Sequence, residues 1–165
     1  MATSPSNGAN PAASAATVAE PVVRVIGQFI KDLSFENPGT GRIRLDPSEQ
    51  PTMRVEVNVN AQNIAPNVFE SILDLKAHCS VQAGVLYELE IQYGALLQVE
   101  NVPEEQLEPF LLINCPALTF PFVRRLVADI TREGGFQPLL LDPIDFGSLY
   151  QMRLQQAAQG TAPVA

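Results

Sequence analysis

Met53-Arg54-Val55-Glu56-Val57-Asn58-Val59-Asn60-Ala61-Gln62 alternates without a fault, with Met53, Val55, Val57, Val59 and Ala61 on one side and Arg54, Glu56, Asn58, Asn60 and Gln62 on the other. Successive side chains of an extended chain point to opposite faces, so a period of two predicts a strand with one face covered and one face wet. The same period recurs on both flanks. Arg24 to Glu36 sets Val25, Gly27, Phe29, Lys31, Leu33 and Phe35 against Arg24, Ile26, Gln28, Ile30, Asp32, Ser34 and Glu36. Val68 to Val81 sets Phe69, Ser71, Leu73, Leu75, Ala77, Cys79 and Val81 against Val68, Glu70, Ile72, Asp74, Lys76, His78 and Ser80. A fourth run puts Val85, Tyr87, Leu89, Ile91 and Tyr93 opposite Leu86, Glu88, Glu90 and Gln92. Four strands in succession, with no helical pattern between them, predict an antiparallel sheet. Asn37 to Gly41 ends the first strand, and the stretch to about Thr52, with Pro47 and Pro51, reads as a long crossover; Gln82-Ala83-Gly84 reads as a close connection.

After Asn101 the period lengthens. Pro103, Glu104 and Glu105 suit a helix N-terminus. Pro116 opens a second helical stretch that runs to Gly134-Gly135, a C-cap signal, and Pro121 predicts a kink one turn in. Phe120, Phe122, Val123, Leu126, Val127 and Ile130 form a face broad enough for both the sheet and another subunit. Phe136 to Asp142 is a non-helical apolar connection, and Asp145 is the N-cap of a last helix with Phe146, Leu149, Tyr150 and Leu154 on its inner stripe. The expected fold class is α+β: a four-stranded antiparallel sheet, helices packed on one face, a long proline-containing helix and a C-terminal helix. It occupies residues 21–156, between a disordered N-terminal tail (1–20) and a flexible C-terminal tail (157–165) whose Ala-rich compositions cannot offset the entropy of ordering.

Composition removes several function classes. Ten Lys and Arg against 18 Asp and Glu leave a net charge of −8 over 165 residues, which argues against phosphate-backbone or anionic-membrane binding. Uninterrupted apolar runs such as Leu111 to Ile113 are short, so no transmembrane helix is expected. Residues 1–19 hold no Lys, no Arg and no apolar h-region, and therefore no export signal; the expected location is cytoplasmic. Two cysteines and one histidine support neither a disulfide framework nor a four-ligand metal site. His78 is the single candidate base for a Ser-His or Cys-His pair, and it points away from Cys79 on the same strand, so no enzyme and no cofactor are expected. Cys115, just before a helix start, is either acidified or buried. Gly39-Thr40-Gly41 leads into no helix and is not a phosphate loop.

Two features remain as candidate sites. The wet face carries Asp32, Glu36, Glu56, Glu70, Asp74, Glu88 and Glu90 against Arg24, Arg54 and Lys76. Asp32 and Glu36 would lie about 13 Å apart and Glu88 and Glu90 about 7 Å apart, too wide for a carboxylate dyad. They fit a docking surface for a basic partner, or the ordinary charge of a solvated sheet. Phe110, Phe120, Phe122 and Phe136 stand in proline-broken settings, where they hold extended peptide, build an oligomer or fill the core. A small-molecule-binding domain or enzyme with a cavity between sheet and helices is the competing expectation.

Phe29-Ile30-Lys31-Asp32-Leu33-Ser34-Phe35-Glu36-Asn37-Pro38 resembles the first-strand signature of the SecB family of bacterial protein-export chaperones. Glu90-Ile91-Gln92-Tyr93-Gly94, Asn114-Cys115-Pro116 with Phe120-Pro121-Phe122-Val123-Arg124, and Phe136 to Asp145 follow in the same order, so the likeness covers about residues 22–156. The resemblance implies a dimer of dimers that binds unfolded precursors and passes them to the SecA ATPase without using nucleotide. It implies SecA contact through Asp32, Glu36 and Glu90; Glu88 stands where other members can have an apolar residue. It also places Leu89, Ile91 and Tyr93 where family changes disturb client holding and assembly. Two departures stand out: no Trp occurs anywhere, with Glu49-Gln50-Pro51 in the region where members carry one, and the C-terminal tail is neutral.

Overall fold

The structure, a computed structural model, describes residues 19–160. Four strands, β1 (Val22–Glu36), β2 (Thr52–Ala65), β3 (Val68–Val81) and β4 (Gly84–Glu100), form one antiparallel sheet in the order β1-β4-β3-β2. β1 and β2 are consecutive in sequence but occupy opposite edges, so the 37–51 crossover spans the sheet's full width. Gly39 brings it against the start of β4: its N–H donates to Leu86 O at 3.3 Å, and a Cβ there would stand 2.8 Å from the Leu86 Cα. At the far end, Glu49 Oε1 accepts the Gln82 N–H at 2.6 Å.

Helices cover one face. α1 (Glu104–Pro109), a π-helical turn (Phe110–Asn114) and α2 (Cys115–Glu133) run on without a break, and α3 (Phe146–Gly160) follows a non-helical connection. The expected kink at Pro121 is displaced: α2 passes through Pro121, and the irregularity is the π turn. Pro116 accounts for the shift, since it lacks an N–H and its ring would press on the Leu112 carbonyl one turn back. Widening the preceding turn, with the Cys115 N–H reaching Phe110 O, relieves that contact. The Gly134-Gly135 signal marks the helix end as expected, with Gly135 at φ 87°. Asp145 caps α3, accepting the Ser148 N–H at 2.9 Å, and these Ser148 hydrogen bonds hold its carboxyl below the usual range.

The core lies between α2 and the two central strands. Leu75, Leu89, Ile91, Val123 and Val127 are wholly enclosed, and Phe120 meets Phe146 edge-on. Burying such side chains contributes about 1.5–3 kcal/mol each, which is what fixes the helix on this face. Glu104–Glu133 is 30 residues long with an 18-residue window of mean hydropathy 1.4, so by length and composition it is able to cross a bilayer. Uninterrupted apolar runs were too narrow a test; here the buried part of that composition serves the subunit core. The expected N-terminal tail falls, up to residue 18, outside the described residues, as do residues 161–165. α3 carries helix through residues 157–160, part of the segment expected to be loose.

β1 departs from simple alternation. Ile26 and Lys31 have no partners on β4, forming bulges between Val25 and Gly27 and between Ile30 and Asp32. A bulge reverses which face the following residues point to, and two bulges restore it. Gly27 and Phe29 therefore share the wet face with Gly94 and Leu96, while Gln28 and Ile30 lie on the helix side. Phe29 lies on the sheet because Gly94 has no side chain: a Cβ there would be 2.6 Å from the ring. Gln28 accordingly meets Tyr93, whose hydroxyl donates to Gln28 Oε1 at 3.3 Å.

Candidate functional site

Strand order brings the four candidate carboxylates together. Asp32 stands opposite Gln92, Ser34 opposite Glu90 and Glu36 opposite Glu88, so Asp32, Glu36, Glu88 and Glu90 occupy one corner of the wet face on adjacent strands. β3 supplies hydrogen-bonding partners to the inner pair. Lys76 Nζ lies 3.2 Å from Glu90 Oε1, and His78 Nδ1 lies 2.8 Å from Glu88 Oε1. Glu90 in turn holds the Lys76 ammonium above its ordinary pKa. Asp32 and Glu36, on the edge strand, have no ion-pair partner among the described residues. The corner is thus graded, with carboxylates lacking an ion-pair partner among the described residues outermost and partnered ones toward β3.

Glu70 is set apart from this group. It is the buried carboxylate of the wet face, 7% exposed, and its Oε2 accepts Lys31 Nζ at 2.9 Å and Gln62 Nε2 at 2.5 Å. The hydrogen bond from Lys31 outweighs burial and holds its pKa below the ordinary value.

On the opposite face, an apolar groove of about 560 Å³ opens where the crossover meets the helix-side end of the sheet. Leu45 and Pro51 come from the crossover, Met53, Cys79 and Tyr87 from the sheet, and Phe136 and Leu139 from the segment after α2. Tyr87 forms its aromatic floor, with ring centroids 4.7 Å from Phe136 and 5.7 Å from Phe35. Burial pushes the Tyr87 hydroxyl and the Cys79 thiol up, so both stay protonated and the groove is uncharged near neutral pH. A second groove, about 360 Å³, runs between the outer edge of β2 and α3, lined by Val57, Val59, Leu149, Tyr150 and Met152. Arg153 bridges it, donating to Val59 O at 2.9 Å.

The apolar residues expected in a peptide groove or an assembly contact separate into four places. Phe136 lines the first groove. Leu89 and Ile91 are fully enclosed, and Phe120 is 9% exposed within the same core, so these three lie beyond the reach of a client; Tyr93, also buried, stacks against Phe122 with parallel rings 6.3 Å apart. Phe110 packs beside Phe69 and Leu111 in a separate cluster, and Phe122 is exposed on the flank of α2 that meets Tyr93. Sequence reasoning missed Leu45, Met53, Cys79, Leu86 and Tyr87 as groove residues. The available signal was the crossover's length, which forces it to pass over the sheet end where these side chains emerge. Cys115 is buried and its thiol is pushed up to about 12 by burial, so it takes the buried alternative of the two. Leu89, Ile91, Val123 and Val127 fill the interface between α2 and the central strands, where the competing expectation put a ligand cavity.

The family described as preprotein translocase subunit SecB matches residues 16–157. The chain belongs to the SecB family. It is 45% identical over 139 residues to the SecB protein-export protein of Azorhizobium caulinodans, covering 84% of this chain and 87% of the relative. With the SecB of Hyphomonas neptunium it shares 47% over 139 residues, covering 84% and 82%. With that of Rhodopseudomonas palustris it shares 40% over 157 residues, covering 95% and 97%. Among solved structures it matches a SecB-like chaperone of Mycobacterium tuberculosis, in complex with an antitoxin peptide, at TM-score 0.62 and 15% identity over 74% of this chain and 90% of that one, a likeness of fold. Membership of SecB makes the protein a protein-export chaperone of α+β architecture. In this SecB chain, the crossover that lacks a tryptophan is anchored by Gly39 to β4 and by Glu49 to the β3–β4 turn.

Proposed function

We propose that this chaperone is an ATP-independent holdase that keeps precursors extended in the apolar grooves and delivers them to the SecA ATPase through the acidic corner of the sheet. One observation carries the reading. The groove floor and the acidic corner lie on opposite faces of the same sheet, so a client and a docking partner are able to occupy the subunit together. Apolar segments gain by leaving water, and a groove built from side chains of several elements selects for oiliness more than for sequence. The unpaired corner carboxylates Asp32 and Glu36 supply long-range attraction for a basic surface, which raises the rate of encounter.

The subunit is built to assemble. β1 is paired only with β4, and an open strand of 15 residues invites another chain. Beside it, Val23, Val25, Ile30 and Leu33 on the helix side of β1 and Leu118 and Phe122 on α2 are exposed. Covering this surface in a dimer of dimers removes it from water and gives one long client several weak sites, which raises overall affinity without a tight single contact. The reading places the protein in the cytoplasm, with no nucleic acid, no membrane insertion and no cofactor. Native mass measurement tests the assembly: a tetramer that takes up about one unfolded client is expected, and monomers that leave the client free would contradict it.

A further inference from the structure

We propose that Lys31 is a positioning residue for partner docking: by tying the β1 bulge to buried Glu70 it turns Asp32 onto the acidic corner. The proposal rests on the docking role given to that corner. Lys31 is the unpaired residue of the second bulge, between Ile30 opposite Tyr93 and Asp32 opposite Gln92. Its ammonium reaches across β4 to Glu70 on β3, 2.9 Å away, and Glu70 is fixed from the other side by Gln62 of β2. The chain of contacts therefore joins the two edge strands, β1 and β2, through β3 and over the top of β4. Glu70 is largely removed from water while Lys31 is half exposed, so loss of the cation leaves a buried carboxylate held by one amide.

The consequence for docking follows from the period of the strand. Between the bulges, β1 is out of phase with the rest of the strand; the Lys31 bulge brings it back. If that bulge migrates or closes, the alternation beyond it shifts by one residue, and Asp32 turns toward the helix side. Simple charge counting makes the opposite forecast. Removing a cation from an acidic surface makes it more attractive to a basic partner, so the sign of the effect separates positioning from field strength.

The test compares Lys31→Met, Lys31→Arg and Asp32→Lys in the full-length protein, measuring affinity for purified SecA and amide exchange along β1. Lys31→Met is expected to weaken SecA binding on the order of tenfold and to speed exchange at the amides around residues 30–33, with Lys31→Arg restoring both. Equal or tighter SecA binding by Lys31→Met overturns the proposal while leaving the docking surface intact, provided Asp32→Lys still weakens binding. Unchanged exchange in Lys31→Met also overturns it. If Asp32→Lys itself leaves SecA affinity unchanged, the docking role of the corner falls and the positioning role with it.

Discussion

Glu36 on β1 and Glu88 on β4 face each other directly across the ladder, two carboxylates in register on the solvent face. Like charges directly opposite destabilise a sheet. His78 hydrogen-bonds Glu88 from the third strand, so the cost falls mainly on Glu36, which has no cation beside it among the described residues. A position that works against the fold fits a surface kept for binding.

Reversing the free pair tests that directly. Asp32→Lys with Glu36→Lys is expected to weaken SecA binding at least tenfold at low salt, with circular dichroism and client binding unchanged. Glu36→Gln alone should weaken SecA binding less and slightly raise the melting temperature by relieving the contact with Glu88.

The groove yields to a substitution on its exposed rim. Leu45 lies on the crossover and is 49% exposed, so Leu45→Asp should leave the fold stable while placing a charge where an apolar client must lie. The expected result is client release about tenfold faster in a stopped-flow experiment, with SecA affinity unaltered.

Leu89 and Ile91 should behave differently. Both are wholly enclosed beneath α2, so replacing either by Ala leaves a cavity costing about 2–5 kcal/mol. Urea unfolding should shift to lower midpoints, and any loss of client holding should track that shift.

Glu70 makes a stability prediction with a definite sign. Its carboxyl is held below its ordinary value of 4.5 by the Lys31 hydrogen bond, so in the folded state it stays ionised to lower pH than in the unfolded chain. The stabilisation is therefore present above about pH 4.5 and is lost as pH falls through the lower folded value. Glu70→Gln should unfold at a lower urea midpoint than the parent at pH 7, and the difference should narrow toward pH 3.

How much of this was legible in the sequence depends on what each feature needs. β2 and β3 read correctly because each keeps one phase over the stretch that carries the pattern, and alternation is a local property. β1 did not, since a bulge is defined by the partner strand: nothing within Arg24 to Glu36 says that Ile26 and Lys31 face no residue of β4. The acidic corner had the same dependence. Its members were visible as wet residues, but their grouping came from β4 lying beside β1. The helix irregularity was displaced from Pro121 to the turn before Pro116 because three prolines share one continuous helix, and the backbone yields where the N–H is missing and the carbonyl behind it is crowded. The groove was least legible, because its lining is drawn from the crossover, three strands and the segment after α2, brought together only by tertiary contacts.

The most direct measurement is light scattering from an unrelated unfolded protein diluted out of denaturant without nucleotide, with and without this chaperone. Near-stoichiometric amounts should delay aggregation, and Leu45→Asp should shorten the delay. Scattering that rises at the same rate in the presence of excess chaperone would contradict the holding role.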